Sequence, residues 1–142
     1  MAVPEGTKAV AQDHSGCREA IGYVIDVNPP EGDAACWLDI GPTHISRNNL
    51  LHGGLMATLL DVACGNAASL SYEKGVHVPV LTVSLNILYV APVGSGRVTA
   101  TGRVSGGGRK ICYASGELRD SDGNLIASAT GVFKRFTKRP IQ

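Results

Sequence analysis

The chain has 142 residues, 44% hydrophobic and 18% charged, with a net charge of +1. That is one domain's length, with enough apolar content for a packed core and too little charge for a disordered segment or for a nucleic-acid or anionic-membrane footprint. The N-terminal "MAVPEGTKAVAQDHSGC" lacks the basic and apolar regions of a signal peptide, and the longest apolar stretch, "VPVLTVSLNILYVAPV", is broken by Thr82, Ser84 and Asn86, so a cytoplasmic protein without membrane contact is expected.

Residues 1–16 read as a lead-in, loose or a short helix, before a single domain over 17–137 and a tail over 138–142. "EAIGYVIDVN" at 19–28 reads as a first strand and "AACWLDI" at 34–40 as a second. The turn residues "PPEGD" between them make a hairpin. After the loop "GPTHISRNN", residues 53–72 have helical length and are apolar on nearly all sides, which predicts a buried helix. Asp61 is its one charged residue. No other Asp, Glu, Lys or Arg lies between Arg47 and Glu73.

Four strands follow. Residues 80–91 alternate, with Thr82, Ser84 and Asn86 on one side and Val83, Leu85, Ile87 and Tyr89 on the other. Residues 96–105 place Arg97, Thr99, Thr101, Arg103 and Ser105 on a solvent face. "GGGRK" at 106–110 is a flexible turn before a strand over 110–119, and "DSDGN" at 120–124 is a hairpin turn before the last strand, 125–136. The order β-β-α-β-β-β-β makes the class α+β, with one antiparallel sheet curved around one long helix.

The four cysteines, Cys17, Cys36, Cys64 and Cys112, are scattered without a CxxC or a neighbouring His pair, so reduced buried thiols are expected rather than zinc. His14, His44 and His77 have no partner visible in the sequence and read as surface or packing residues, and Trp37 reads as core.

"HGGLMATLLD" resembles the signature of the hotdog-fold acyl-CoA thioesterases, in particular the phenylacetate-pathway (PaaI-type) branch, which shows His-Gly-Gly and an acid nine positions after the His. Here these are His52, Gly53, Gly54 and Asp61. "LTVSLNILYVAPVGSG", "GGGRK" and "DGNLIASATGVFKRF" extend the likeness over roughly residues 20–136. The resemblance implies a hotdog fold and hydrolysis of an acyl- or aryl-CoA, with no metal or redox cofactor.

The chemistry fits the residues. The first N–H groups of a helix lack intrahelical partners and carry the positive end of its dipole. At Gly53 and Gly54 a thioester carbonyl can approach the backbone, and the Gly53 amide can stabilise the oxyanion. Asp61 is the candidate general base or nucleophile. A structural acid there would need a cationic partner, which the segment lacks. Gly53 and Asp61, eight residues apart on one helix, are separated by about 12 Å. Both must reach one carbon, so the motif predicts a two-fold homodimer with antiparallel helices and sites on the interface. The family resemblance agrees and implies a dimer of dimers.

Further roles carry over from the resemblance. Ser46 stands where the family has an Asn at the thioester or water, with Asn48 as a substitute. Asn49 stands where the family has Gly and tolerates left-handed φ. Thr82 falls where a hydroxyl helps hold the attacking water. Tyr89 and the loop Gly106, Gly107, Gly108, Arg109 and Lys110 fall where coenzyme A is held, and the two cations suit its phosphates. His52 is read as a catalytic-site residue or as one that orients the loop before the helix. Met56, Leu60 and Leu85 are candidates to line the acyl pocket. The alternatives are a hydratase or a non-catalytic acyl-CoA binding protein on the same fold.

Overall fold

The computed structural model describes residues 15–136. The expected lead-in up to residue 14 and the tail over 138–142 lie outside the described residues. In chain order the elements are α1 (Gly16–Ile21), β1 (Val24–Asp26), β2 (Ala34–Asp39), a 3-10 turn (Pro42–His44), α2 (Gly53–Ser71), β3 (Val80–Tyr89), β4 (Arg97–Gly107), β5 (Ile111–Arg119) and β6 (Leu125–Arg135). The six strands form one antiparallel sheet in the order β1-β2-β4-β5-β6-β3. α2 lies against it, as the strand order predicted. No helix among the described residues is long and apolar enough to cross a membrane.

The first strand is shorter than its sequence suggested. Residues 19–21 belong to α1, which the Ser15 side chain caps by accepting the Arg18 N–H and which Gly22 ends at φ 88. Only a glycine turns this corner without strain, so the helix stops there and the strand starts two residues later. His44 is buried and partnered. Its Nδ1 accepts the Gly41 N–H at 2.8 Å, and its Nε2 lies 2.6 Å from the Ile21 carbonyl, tying this loop to α1. Trp37 is buried as expected, beneath the Arg97 guanidinium at 3.8 Å from its ring centre. Cys36, Cys64 and Cys112 are buried free thiols, whereas Cys17 is exposed.

The sheet admits the helix through a row of small residues. Ala34, Gly102, Gly116 and Ala129 are cross-strand partners on β2, β4, β5 and β6. A Cβ on Gly102 would lie 2.4 Å from the Ala63 carbonyl oxygen, and one on Gly116 would lie 2.8 Å from Cys64 Sγ. α2 therefore sits at backbone distance from the sheet. Met56, Leu59, Leu60, Ala63, Cys64, Ala67 and Ala68 are buried on its inner side with Leu38, Val98, Leu118, Ile126 and Phe133. The helix is not wholly buried, however. Leu55, Thr58, Asp61, Val62 and Gly65 form a half-exposed outer side. The apolar composition of α2 thus conceals two faces, only one of which the chain covers itself.

β3 departs from simple alternation. Thr82 pairs with Phe133 and Ser84 with Val132, so Val83 is an extra, bulged residue. The bulge reverses the side-chain phase. Thr82 faces α2, together with Leu85, Ile87 and Tyr89, while Ser84 and Asn86 face away. The alternation put Thr82 with Ser84 and Asn86 because a period of two cannot register an inserted residue.

Replacing Gly102 with Ala tests the small-residue row. The new methyl has only backbone in front of it, so Gly102→Ala should lower stability by about 1–3 kcal/mol. Gly106→Ala, where a Cβ meets nothing within 4 Å, should leave it nearly unchanged. Urea unfolding of both variants measures the difference.

Candidate active site

The start of α2 has almost all of its donors engaged. His52 is the N-cap, and its Nδ1 accepts the Gly54 N–H at 2.9 Å. The His52 carbonyl takes the N–H groups of Leu55 at 2.9 Å and Met56 at 3.2 Å. The Gly53 N–H has no acceptor among the described residues. A single free donor therefore stands at the positive end of a 19-residue helix. Accepting at Nδ1 requires the His52 tautomer protonated at Nε2. His52 therefore caps α2 through its ring nitrogen.

Two turns along, the Thr82 hydroxyl donates to Asp61 Oδ1 at 2.7 Å. The β3 bulge is what aims it there. The second carboxylate oxygen, Oδ2, remains on the half-exposed outer side of the helix. Among the described residues no cation pairs with Asp61. Cys64, one turn further on, is no rival nucleophile: burial, and then the Asp61 charge, push its thiol up to about 12.

Tyr89, the last residue of β3, reaches back to the start of the helix. Its hydroxyl donates to the Gly53 carbonyl at 3.2 Å. Its ring lies so close that a Cβ on Gly53 would come within 3.3 Å of it.

Ser46 and Asn48 lie in the loop before α2. The Ser46 N–H donates to the Leu50 carbonyl at 2.7 Å, and the Ser46 hydroxyl accepts the Asn48 N–H at 3.3 Å. Asn49 takes φ 58, the left-handed conformation anticipated for it. Neither Ser46 nor Asn48 contacts Asp61 within the chain. Of the anticipated lining residues, Met56 and Leu60 are buried in the core and Leu85 is half-buried on the face of β3 toward α2.

The 106–110 turn is a tight hairpin. Gly107 has φ 142 and the Gly108 N–H donates to the Ile111 carbonyl at 2.8 Å. It presents Arg109 and Lys110 to an open groove of about 460 Å³ that Lys134, Arg135 and Phe136 also line. Arg135 stacks over Tyr72, 5.5 Å from its ring centre, and the Tyr72 hydroxyl donates to the Lys110 carbonyl at 3.3 Å. Among the described residues none of these four cations has a carboxylate partner. Lys134 and Arg135 are groove residues that the sequence does not single out. Their signal was the β5–β6 hairpin register, which sets Lys134 opposite Ile111.

A model of the thioesterase superfamily matches residues 48–127. The chain belongs to the thioesterase superfamily. Human acyl-coenzyme A thioesterase 13 is 31% identical over 109 residues, covering 75% of this chain and 76% of that protein. A Bacillus halodurans protein solved with CoA is 31% identical with a TM-score of 0.68, covering 75% of this chain and 69% of that one. The Escherichia coli PaaI protein, 20% identical over 87% of this chain and 86% of that one, shares the fold with a TM-score of 0.75. The hotdog architecture and the thioester-hydrolase class implied by the sequence are those of this superfamily.

The cap on α2 is testable on its own. His52→Ala removes the acceptor for the Gly54 N–H and should cost about 1 kcal/mol in urea unfolding. His52→Asn, which retains a capping oxygen, should recover most of the loss.

Proposed function

We propose that the protein hydrolyses acyl-CoA thioesters to the free acid and coenzyme A, in a two-fold homodimer whose sites each draw on both chains. The observation that carries this reading is the disposition of two groups on α2. The free Gly53 N–H and the Asp61–Thr82 pair are eight residues, about 12 Å, apart on one helix, so they cannot act on the same carbon. Packing a second, antiparallel α2 against the half-exposed outer side brings Gly53 of the partner subunit to Asp61. Two further features support a second copy there. Gly65, Thr58 and Gly54 are small and permit close approach. Beside them β3 is an edge strand with exposed Leu81, Val83, Leu88 and Tyr89, followed by exposed Val90.

In this reading the thioester carbonyl accepts from the Gly53 N–H, which stabilises the oxyanion as it forms. Thr82 occupies Oδ1 of Asp61 and fixes the carboxylate plane, leaving Oδ2 to take a proton from the attacking water or to attack directly. The tetrahedral intermediate then collapses with loss of the coenzyme thiolate, which leaves as the thiol once protonated. With water as nucleophile this yields the free acid; with Asp61 as nucleophile it yields a mixed anhydride that a water molecule then hydrolyses to the free acid and the Asp61 carboxylate. Tyr72 lies eleven residues beyond Asp61 on the same helix axis, about 16 Å away. The groove of Arg109, Lys110, Lys134 and Arg135 beside it is therefore within reach of a pantetheine arm, and its cations suit the coenzyme's phosphates.

Free-thiol release from aryl-CoAs and from acyl-CoAs, butanoyl to hexadecanoyl, tests the reading. Asp61→Asn keeps the shape and removes the charge, and should reduce kcat at least about a hundredfold at unchanged thermal stability. Binding of acyl-CoA by the wild type without turnover would replace hydrolysis with a binding role. Arg109→Ala combined with Lys134→Ala should raise KM several-fold at nearly constant kcat, by an amount that shrinks as salt is added.

A further inference from the structure

We propose that Tyr89 is a positioning residue for the oxyanion donor and that it serves the Asp61 of the other subunit. This inference rests on the reading above.

Two consecutive glycines, Gly53 and Gly54, open α2. Glycine at a helix start has the widest conformational freedom of any residue, so the one free N–H would sweep over many directions if nothing held it. The His52 carbonyl, bonded to the Leu55 and Met56 N–H groups, holds its own peptide, and the next peptide, which sets its direction, is held on two sides. His52 takes the Gly54 N–H from the solvent side. The Tyr89 hydroxyl donates to the Gly53 carbonyl from the sheet side, with its ring 3.3 Å from where a Gly53 Cβ would stand.

Tyr89 is itself firmly placed. It pairs with Ala127, and the next two residues, Val90 and Ala91, both donate to the Ile126 carbonyl, at 2.9 and 3.0 Å. It is also 57% exposed, so its ring contributes little to the core. A half-exposed tyrosine whose one hydrogen bond fixes the peptide next to the reactive amide is built to orient that amide.

The geometry also separates Tyr89 from the coenzyme's phosphates. Tyr89 touches residue 53 and the basic groove touches residue 72, which are about 28 Å apart along α2. They cannot form one subsite within a chain. With antiparallel helices, Tyr89 of one chain stands beside the carbonyl attacked by the other chain's Asp61, while the phosphates reach the groove of the chain that supplies Asp61.

Tyr89→Phe keeps the ring and deletes the hydroxyl. It should lower kcat about three- to tenfold, with KM for acyl-CoA and inhibition by free CoA essentially unchanged. A raised KM and weakened CoA inhibition at constant kcat would overturn the proposal in favour of coenzyme holding. The second test uses two differently tagged chains, one Asp61→Asn and one Tyr89→Ala, purified as the heterodimer. One of its sites combines native Asp61 with native Tyr89, and the other has neither. Expected is about half of wild-type activity, well above both parent homodimers. Activity no higher than the Tyr89→Ala parent would place both residues in the same chain's site and overturn the proposal. Full activity in the Asp61→Asn homodimer would instead defeat the role given to Asp61, and failure of the two chains to associate would defeat the shared-site dimer; either takes the proposal with it.

Discussion

The close seating of α2 on the sheet is the constraint from which the rest of the molecule follows. Gly102 and Gly116 leave no side chain between helix and strands, so Ala63 and Cys64 meet the sheet at backbone distance. Such close packing fixes the rotation of the helix about its axis, since any turn would drive Leu59, Leu60 or Met56 into β4 or β5. Once the rotation is fixed, Asp61 must face outward, and β3 must run alongside it as the next wall.

β3 then touches the helix at two places, one at each end of the strand. Thr82 holds the carboxylate and Tyr89 holds the first helical peptide. Neither contact contributes much to folding, since both are half-exposed. Together they set the two polar groups to which the proposed hydrolysis assigns the activating acid and the amide donor. The rise of the helix keeps those groups apart within one chain. In the proposed reading the chain therefore carries two half-sites facing the same side, each complementary to the other under a two-fold rotation.

Much of this was legible in the residues. The turns at "PPEGD" and "DSDGN", the alternation in β4 and the glycine-started apolar helix each have a local physical cause, and the strand order followed from them. Three features were not legible, because each depends on something beyond its own segment. The β3 bulge is an inserted residue that only strand pairing reveals, and it moved Thr82 to the face where it meets Asp61. The apolar outer side of α2 looked like core because composition cannot distinguish a face covered by the chain itself from one left for another surface. The place of Lys134 and Arg135 in the basic groove follows from the β5–β6 register, which brings the end of the last strand beside the 106–110 turn. By contrast, the ending of α1 at Gly22 had a local signal, a helix-stop glycine, which the apolar pattern of "YVI" masked.

The central claim is that the acid and the oxyanion donor of one site come from two chains. A crystal structure with a ketone analogue of an acyl-CoA, in which a methylene replaces the thioester sulfur, tests it most directly. The account predicts the analogue's carbonyl oxygen at hydrogen-bond distance from the Gly53 N–H of one chain, with its carbonyl carbon facing Asp61 of the other. A carbonyl bound by one chain alone, or away from Gly53, would contradict it.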